Sequence, residues 1–491
     1  MKTYISFLSL AFLLLSISRN DCNASDLVFG PYEVGFSTYK TYDDSRFYIR
    51  GEDTISRPLL IHFWYPAQGK SIGHTLDFKH YIDLIALRED FGKSTSDIDN
   101  NSFYYVKAYS DFAKSNFGLD TSTSAQMILD SPVYAKNGIP PLQTGSELPL
   151  LIYAPSNSKA SVQNHMLCEY LASHGFMILS VASAGPNSIQ REKIEESTMA
   201  QVTDMEYILS YCEDSLGINY ASLGLFGYSS GGNAITIFQM RNEQVGAVLS
   251  LDGGQEYGAY MGLYNIPDFN LNKANVPYCS IVNNYENFSI YPLYNSILST
   301  EKYIYRMPHL DHNGFISYWL YFDSCSPDSM KSSFSLSTEY LSECALGFFS
   351  KYLKSESLLD ESKYTRTPDS TYIQRVELNQ GSIAAICNAL LNNDLSVASR
   401  LVDDQNNELF EGANQLNILA RMLNNKDLVI WLYQKSVEYH PESWENHYNL
   451  GYIYKEKGET LLAKNALLTA LELNPDNTDI TDLLNEVNKM E

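Results

Sequence analysis

The sequence predicts an α/β fold, a mostly parallel sheet with helices on both faces, followed by an all-α helical-repeat domain. Three observations carry this reading. From about residue 148, short apolar runs alternate with longer segments of helical periodicity, the pattern of strands buried on both faces. One of those runs leads through a glycine-flanked serine into a helix-compatible stretch. After about Thr365 only helical patterns remain, and small and apolar residues recur there with a period of about 34 residues.

The chain opens with Lys2 followed by a nearly unbroken apolar stretch from Ile5 to Leu15, then Ser16-Ile17-Ser18. A positive start, a short apolar segment and small residues at the cleavage spacing are the marks of an export signal over residues 1–25. The stretch is short for a bilayer span. Arg19-Asn20-Asp21 before Cys22 lacks the small residue that lipoprotein processing needs, which argues against a lipid anchor at Cys22. The expected location is therefore periplasmic or extracellular, without a transmembrane segment.

Residues 27–66 alternate and carry turn residues, so they read as antiparallel strands, Ile61-His62-Phe63-Trp64-Tyr65 most clearly. Between about 72 and 141 the character changes. Phe78, Tyr81, Ile82 and Ile85 recur at helical spacing, as do Tyr105, Tyr109, Phe112 and Ala113. This is read as an aromatic-rich helical insertion, either a decorated surface or a lid over a pocket. Pro149 has no N–H to donate to a ladder, so it marks the start of the strand running on from Leu150. A helix over 162–173, a strand over 176–182 and a long amphipathic helix over 195–213 follow. Further strands are read over 223–226, Val245–Leu251, Tyr278–Val282 and 303–306. A helix over 337–353 closes the unit, giving a domain of residues 26–360.

In the tail, residues 370–491, Leu450, Gly451, Tyr454, Ala463, Leu467, Ala470 and Pro475 fall at tetratricopeptide spacing, with small residues where two helices cross. One period earlier Leu416, Tyr433 and Pro441 repeat Leu450, Leu467 and Pro475 more weakly. Such repeats bind a partner segment or self-associate.

An apolar fraction of 44% with 19% charged residues suits an ordinary globular chain with a sizeable core. A net charge of -24 without a basic run argues against nucleic-acid binding. None of the seven cysteines forms a CxxC pair, so no zinc or thioredoxin-like site is indicated. Cys168 and Cys212 read as core thiols, and Cys325 with Cys344 is one pairing open to an exported chain.

The chemistry centres on Leu223-Gly224-Leu225-Phe226-Gly227-Tyr228-Ser229-Ser230-Gly231-Gly232. A strand, a tight turn and a helix would expose Ser229 Oγ at the carboxyl edge of the sheet, and Gly227 and Gly231 would spare the neighbouring backbone a Cβ. A serine hydroxyl needs a base to take its proton. Met307-Pro308-His309-Leu310-Asp311-His312 follows a later strand and offers His309 and His312; without a third ligand cluster a metal site is not indicated. Asp252 ends the strand after the serine, where a buried carboxylate needs a partner such as histidine. The order Ser, Asp, His suits a strand–turn–helix nucleophile.

Over about residues 30–353 the chain resembles the platelet-activating-factor acetylhydrolase-like branch of the α/β-hydrolases, close to dienelactone-hydrolase-like proteins. The resemblance rests on Gly30-Pro31-Tyr32-Glu33-Val34-Gly35-Phe36, Asp44-Ser45-Arg46, Arg57-Pro58, Trp64-Tyr65-Pro66-Ala67 and Leu171-Ala172-Ser173-His174-Gly175-Phe176, besides the serine turn. It implies Ser229 as nucleophile, Asp252 as acid and His312, with Phe315 three residues on and Ser317 beyond, as base. His309 then stands behind the base or in its place. Relatives carry Ser-His-Gly-x-Gly where this chain has Ala154-Pro155-Ser156-Asn157-Ser158; by alignment the oxyanion would be held by the amides of Asn157 and Ser230. The resemblance implies ester hydrolysis through an acyl-enzyme, with no cofactor, on a small-molecule or polymer-linked ester. The insertion and the segment 257–264 are candidate pocket walls. A serine peptidase or amidase of the same fold, or a partner-binding repeat protein with a vestigial hydrolase unit, are the competing readings.

Overall fold

Six runs, all but the last nearly free of polar side chains, set the middle of the sheet, because a strand sandwiched between two helical layers must be apolar on both sides. They are β5 (Leu150–Ala154), β6 (Met177–Val181), β7 (Leu223–Tyr228), β8 (Val245–Leu251), β9 (Tyr278–Val282) and β10 (Lys302–Arg306). All of β5, from Leu150 to Ala154, is buried to 0% exposure. Each such Leu or Ile contributes roughly 1.5–3 kcal/mol by leaving water. Before them come β1 (Glu33–Arg50) and β2 (Asp53–Ala67), an antiparallel hairpin whose two-residue turn starts at Gly51 with φ 62°.

The computed structural model describes residues 27–68, 73–117, 125–143, 147–156, 161–190, 192–257, 263, 265–283, 291–297, 301–317, 319–324, 333–356, 373–375, 386, 389–390, 394–403, 420, 423 and 425–490. The export-signal reading, Cys22, Asn157, Cys325 and Leu416 lie outside the described residues. Among the described residues no helix is long and apolar enough to cross a membrane.

The insertion supplies β3 (His74–Asp77), α1 (Phe78–Leu87), α2 (Thr95–Phe117), α3 (Ala125–Leu129) and β4 (Pro132–Asn137). The helical reading of residues 72–141 is thus corrected at both ends. β4 joins β1 in parallel at Gly35 and Phe36, and β3 adds to it antiparallel. Both strands are short and half-exposed, so they lack a continuous apolar signature.

Behind β10 lies β11 (Gln374–Arg375), paired antiparallel with Tyr305 and Arg306, and Ile373 before it is buried in the sheet's core. This corrects the reading of everything past Thr365 as helical. Two paired residues are too few to print a period.

The sheet order is β11-β10-β9-β8-β7-β5-β6-β2-β1-β4-β3, parallel from β6 to β10. Alternate strand residues feed two cores. On one face Leu151, Tyr153, Phe226 and Leu249 pack with α4 (His165–Ser173) and α9 (Ser333–Leu353). On the other, Leu150, Ile152 and Leu225 pack with α5 (Ile194–Asp214) and α6 (Ser230–Arg241). The neighbours β5 and β7 therefore send their following helices to opposite faces. That reversal makes their carboxyl ends a topological switch point, the place where open α/β sheets bind ligands.

A buried ion pair braces this edge. Arg57 of β2 meets Asp204 of α5 through two bonds of 2.7 and 2.6 Å, and its third nitrogen donates to the Gly185 carbonyl at 2.8 Å. Short α7 (Pro292–Ser296) and α8 (Trp319–Ser324) complete the layer.

The tail forms its own core. α10 (Leu395–Asp403) precedes α11 (Lys426–Tyr439), α12 (Trp444–Lys457), α13 (Thr460–Leu473) and α14 (Thr478–Asn488). Ser443 and Asn477 cap α12 and α14, and Gly458 ends α12 at φ 82°. Gly451 sits where α12 crosses α13: a Cβ there would lie 2.6 Å from Leu467 Cγ.

Candidate active site

The serine turn stands at the carboxyl end of β7. Ser229 has φ 55° and ψ -120°, a strained conformation for a residue with a Cβ. The surroundings over-determine it. Its N–H donates to the Leu251 carbonyl at 3.0 Å, and its own carbonyl accepts from Gly232 N at 3.0 Å and Gly254 N at 2.8 Å. A Cβ on Gly227 would fall 2.5 Å from the Gly231 carbonyl oxygen, and one on Gly231 2.0 Å from that of Ala154. The two glycines thus let the first turn of α6 approach both its own strand and the end of β5.

Asp252 directly follows β8, with φ 47° and its N–H on the Ile281 carbonyl at 2.7 Å. Its side chain is 0% exposed. Oδ1 accepts from the hydroxyl of Tyr257 and from Asn283 N at 3.0 Å; Oδ2 accepts from Asn283 Nδ2 at 2.8 Å.

His312 opens a 3-10 turn, His312–Phe315, on the connection after β10. Asp311 caps that turn by accepting from Gly314 N at 2.8 Å, Tyr228 donates its hydroxyl to the His312 carbonyl at 2.8 Å, and Phe315 is buried beneath. The ring is thereby held with Nδ1 2.5 Å from Asp252 Oδ2 and Nε2 2.9 Å from Ser229 Oγ. A proton on Nδ1 bonded to the carboxylate leaves the Nε2 lone pair facing the serine hydroxyl.

Ser229, Asp252 and His312, read separately from three strand ends, therefore meet at one edge of the sheet. His309 is exposed on the turn two residues after Met307 and makes none of these contacts. Ser230 is the first residue of α6, so its N–H belongs to a helix N-terminus. Asn157, the other expected oxyanion donor, lies outside the described residues. Its loop leaves β5 beside the elbow, where Gln201 Nε2 holds the Pro155 carbonyl at 2.8 Å.

The turn after that loop is tied to the turn after His312. Ser317 N donates to Asn164 Oδ1 at 2.8 Å, and Ser317 Oγ to the Gln163 carbonyl at 3.2 Å. The insertion packs on the same ground: Phe78 stacks on Tyr321 at 4.4 Å, and Tyr109 meets Trp319 edge-on at 5.5 Å. Tyr81 gives its hydroxyl to the buried Glu169 of α4 at 2.6 Å, and Tyr134 N bonds the other oxygen at 3.1 Å. Burial pushes the Glu169 carboxyl up to about 7 against these donors. Burial likewise pushes His62, which bonds Ser161 in the turn before α4, down to about 3.

Sequence reasoning missed Asn283 and did not assign Tyr257 to the acid. Asn283 had a signal: it is the polar residue ending the apolar run Tyr278–Val282, at the same edge as Asp252. Cys168 and Cys212 are buried free thiols; Cys344 is also free and packs beside Cys279.

A tetratricopeptide repeat family model matches residues 432–465. No curated protein matches the chain. Among solved structures, a ferulic acid esterase from Streptomyces cinnamoneus is similar at a TM-score of 0.48 and 14% identity, over 71% of this chain and 97% of that one. The fold is an α/β-hydrolase fold followed by helical repeats, as the strand order, the serine elbow and the repeat match describe.

Proposed function

We propose that the protein is an exported serine hydrolase that cleaves carboxylic esters through an acyl-enzyme. The observation that carries this reading is the continuous bond series from Asp252 through His312 to Ser229 Oγ, at 2.5 and 2.9 Å, ending on a serine held at positive φ.

In this mechanism Ser229 Oγ attacks the ester carbonyl while His312 Nε2 takes its proton. Asp252 holds the imidazole in the tautomer that leaves Nε2 free and stabilises the imidazolium that forms. The oxyanion is held by the Ser230 amide at the head of α6, with the Asn157 amide as the second donor that the alignment implies. His312 returns its proton to the departing alkoxide. A water, deprotonated by the same ring, then releases the acid and restores Ser229.

The likeness to platelet-activating-factor acetylhydrolase-like and dienelactone-hydrolase-like enzymes belongs to this proposal, as does export directed by residues 1–25. The insertion, packed on α8 beyond His312, supports its role as a wall of the acyl pocket. The repeats are assigned to binding a protein partner or a second copy. The complete serine, histidine and carboxylate set weighs against a vestigial hydrolase unit.

The test is turnover of nitrophenyl esters of rising acyl length beside the matching anilides. Ester cleavage that Ser229→Ala abolishes supports the proposal. Cleavage of anilides in preference to esters makes the protein an amidase, and inactivity on both sinks the hydrolase reading.

A further inference from the structure

We propose that Tyr257 and Asn283 are positioning residues that fix the Asp252 carboxylate against His312; this deepens, and rests on, the serine-hydrolase reading above.

A carboxylate has about four lone-pair directions. At Asp252 all four are filled. Oδ1 takes the Tyr257 hydroxyl and the Asn283 amide N–H, and Oδ2 takes Asn283 Nδ2 and His312 Nδ1. The donors arrive from three connections, after β8, β9 and β10. Asp252 is sealed from solvent, so water has no share in its solvation. A buried carboxylate without such donors is costly.

The two residues do different work. Asn283 spans both oxygens with one N–H on each, which sets the plane of the carboxylate. Tyr257 bonds Oδ1 and draws charge away from Oδ2, the oxygen that faces the imidazole. Burial first, and then the Asp252 charge, hold the Tyr257 hydroxyl far above the usual phenol range, so it remains a donor wherever the enzyme works. Removing that hydroxyl returns charge to Oδ2. The imidazolium is then held more tightly and gives up its proton less readily.

The titratable and charged groups around this pair come from each packed connection. Tyr228 ends β7, Glu256 and Tyr257 follow β8, Tyr291 precedes α7, and Arg306 ends β10. His309 and Asp311 share the connection that carries His312. Glu256 and Tyr291 face Tyr257, and Arg306 faces Tyr291. All but Tyr257 itself are kept in the variants below.

The experiment compares the full chain with Tyr257→Phe, Tyr257→Leu and Asn283→Ala. It follows kcat and KM across pH on the best nitrophenyl ester, and the low-field proton resonance of the imidazole N–H bonded to a carboxylate. For Tyr257→Phe we expect kcat lower by on the order of 10-fold with KM little changed. The acidic limb of activity moves to higher pH, and the low-field resonance moves further downfield. Asn283→Ala shifts the resonance the same way and loses more kcat. Should Tyr257→Phe fail to fold, Asn283→Ala carries the test. Coincidence of Tyr257→Phe with the parent in kcat, pH profile and resonance, with loss only in Tyr257→Leu, would assign Tyr257 to packing and overturn the inference. The resonance needs no substrate, so a parent that shows it while cleaving neither esters nor anilides sinks the hydrolase reading and leaves the positioning to be judged on the variants' resonance alone.

Discussion

Asn164 and Ser317 lock the turn before α4 to the connection beyond His312. The Ser317 N–H donates to Asn164 Oδ1 at 2.8 Å, while Asn164 Nδ2 donates to the Tyr153 hydroxyl of β5 at 3.0 Å. One buried amide thus joins the end of β5 to the turn beyond His312. Replacing Asn164 by Ala leaves the Ser317 N–H buried without its acceptor. The expected cost is about 1–3 kcal/mol of stability, read from denaturant midpoints, together with a fall in kcat on the order of 10-fold.

The elbow tolerates no added atom. Gly231→Ala places a methyl 2.0 Å from the Ala154 carbonyl oxygen, backbone against backbone. Loss of active-site labelling is expected, with a lower melting temperature. A Gly231→Ala protein that labels and melts like the parent would contradict the elbow geometry.

The Arg57–Asp204 pair is buried on both sides, at 1% exposure each. Breaking it with Arg57→Met leaves Asp204 with only the partly exposed Arg46, at a cost of up to about 3–5 kcal/mol. Replacing both partners, as Arg57→Met with Asp204→Leu, should recover much of that loss in urea unfolding. Arg46, which also bonds Asp204 at 2.8 Å, keeps the recovery from being complete.

Glu169 gives a pH dependence of definite sign. Its folded carboxyl is raised to about 7 from 4.5. Below the unfolded value both states are neutral and its contribution is whole; as pH rises towards 7 the unfolded state ionises first and that contribution is lost. Glu256, also raised to about 7, acts in the same sense. His62 and His165, lowered to about 3, act oppositely: their contribution is present above the unfolded value of 6.5 and lost as pH falls. The difference between the parent and Glu169→Gln isolates the one group. Glu169→Gln should gain on the parent in thermal stability between pH 4.5 and 7 and hold that gain above it.

What the sequence made legible follows from burial. β8 and β9 occupy the residues read for them because strands covered on both faces are unbroken apolar runs. Ser229, Asp252 and His312 stood out as the polar residues that end or follow such runs. β7 runs past Gly227 to Tyr228 because the turn tightens only at Ser229. β3, β4 and β11 were hidden because each is a short strand whose pairing partners lie far away in the chain. Tyr257 was visible as an aromatic near a pocket, but its bond to Asp252 depends on the fold of the turn between them. Asn164 and Ser317 are 153 residues apart, and no local period links them.

The central claim is that Ser229 is an activated nucleophile, and the direct measurement is covalent labelling with a fluorophosphonate, mapped to a peptide by mass spectrometry. The parent should label on the peptide containing Ser229, Ser229→Ala should not label, and His312→Ala should lose most of the rate while His309→Ala retains it. A parent that stays unlabelled, or a label that persists in Ser229→Ala, would contradict the assignment.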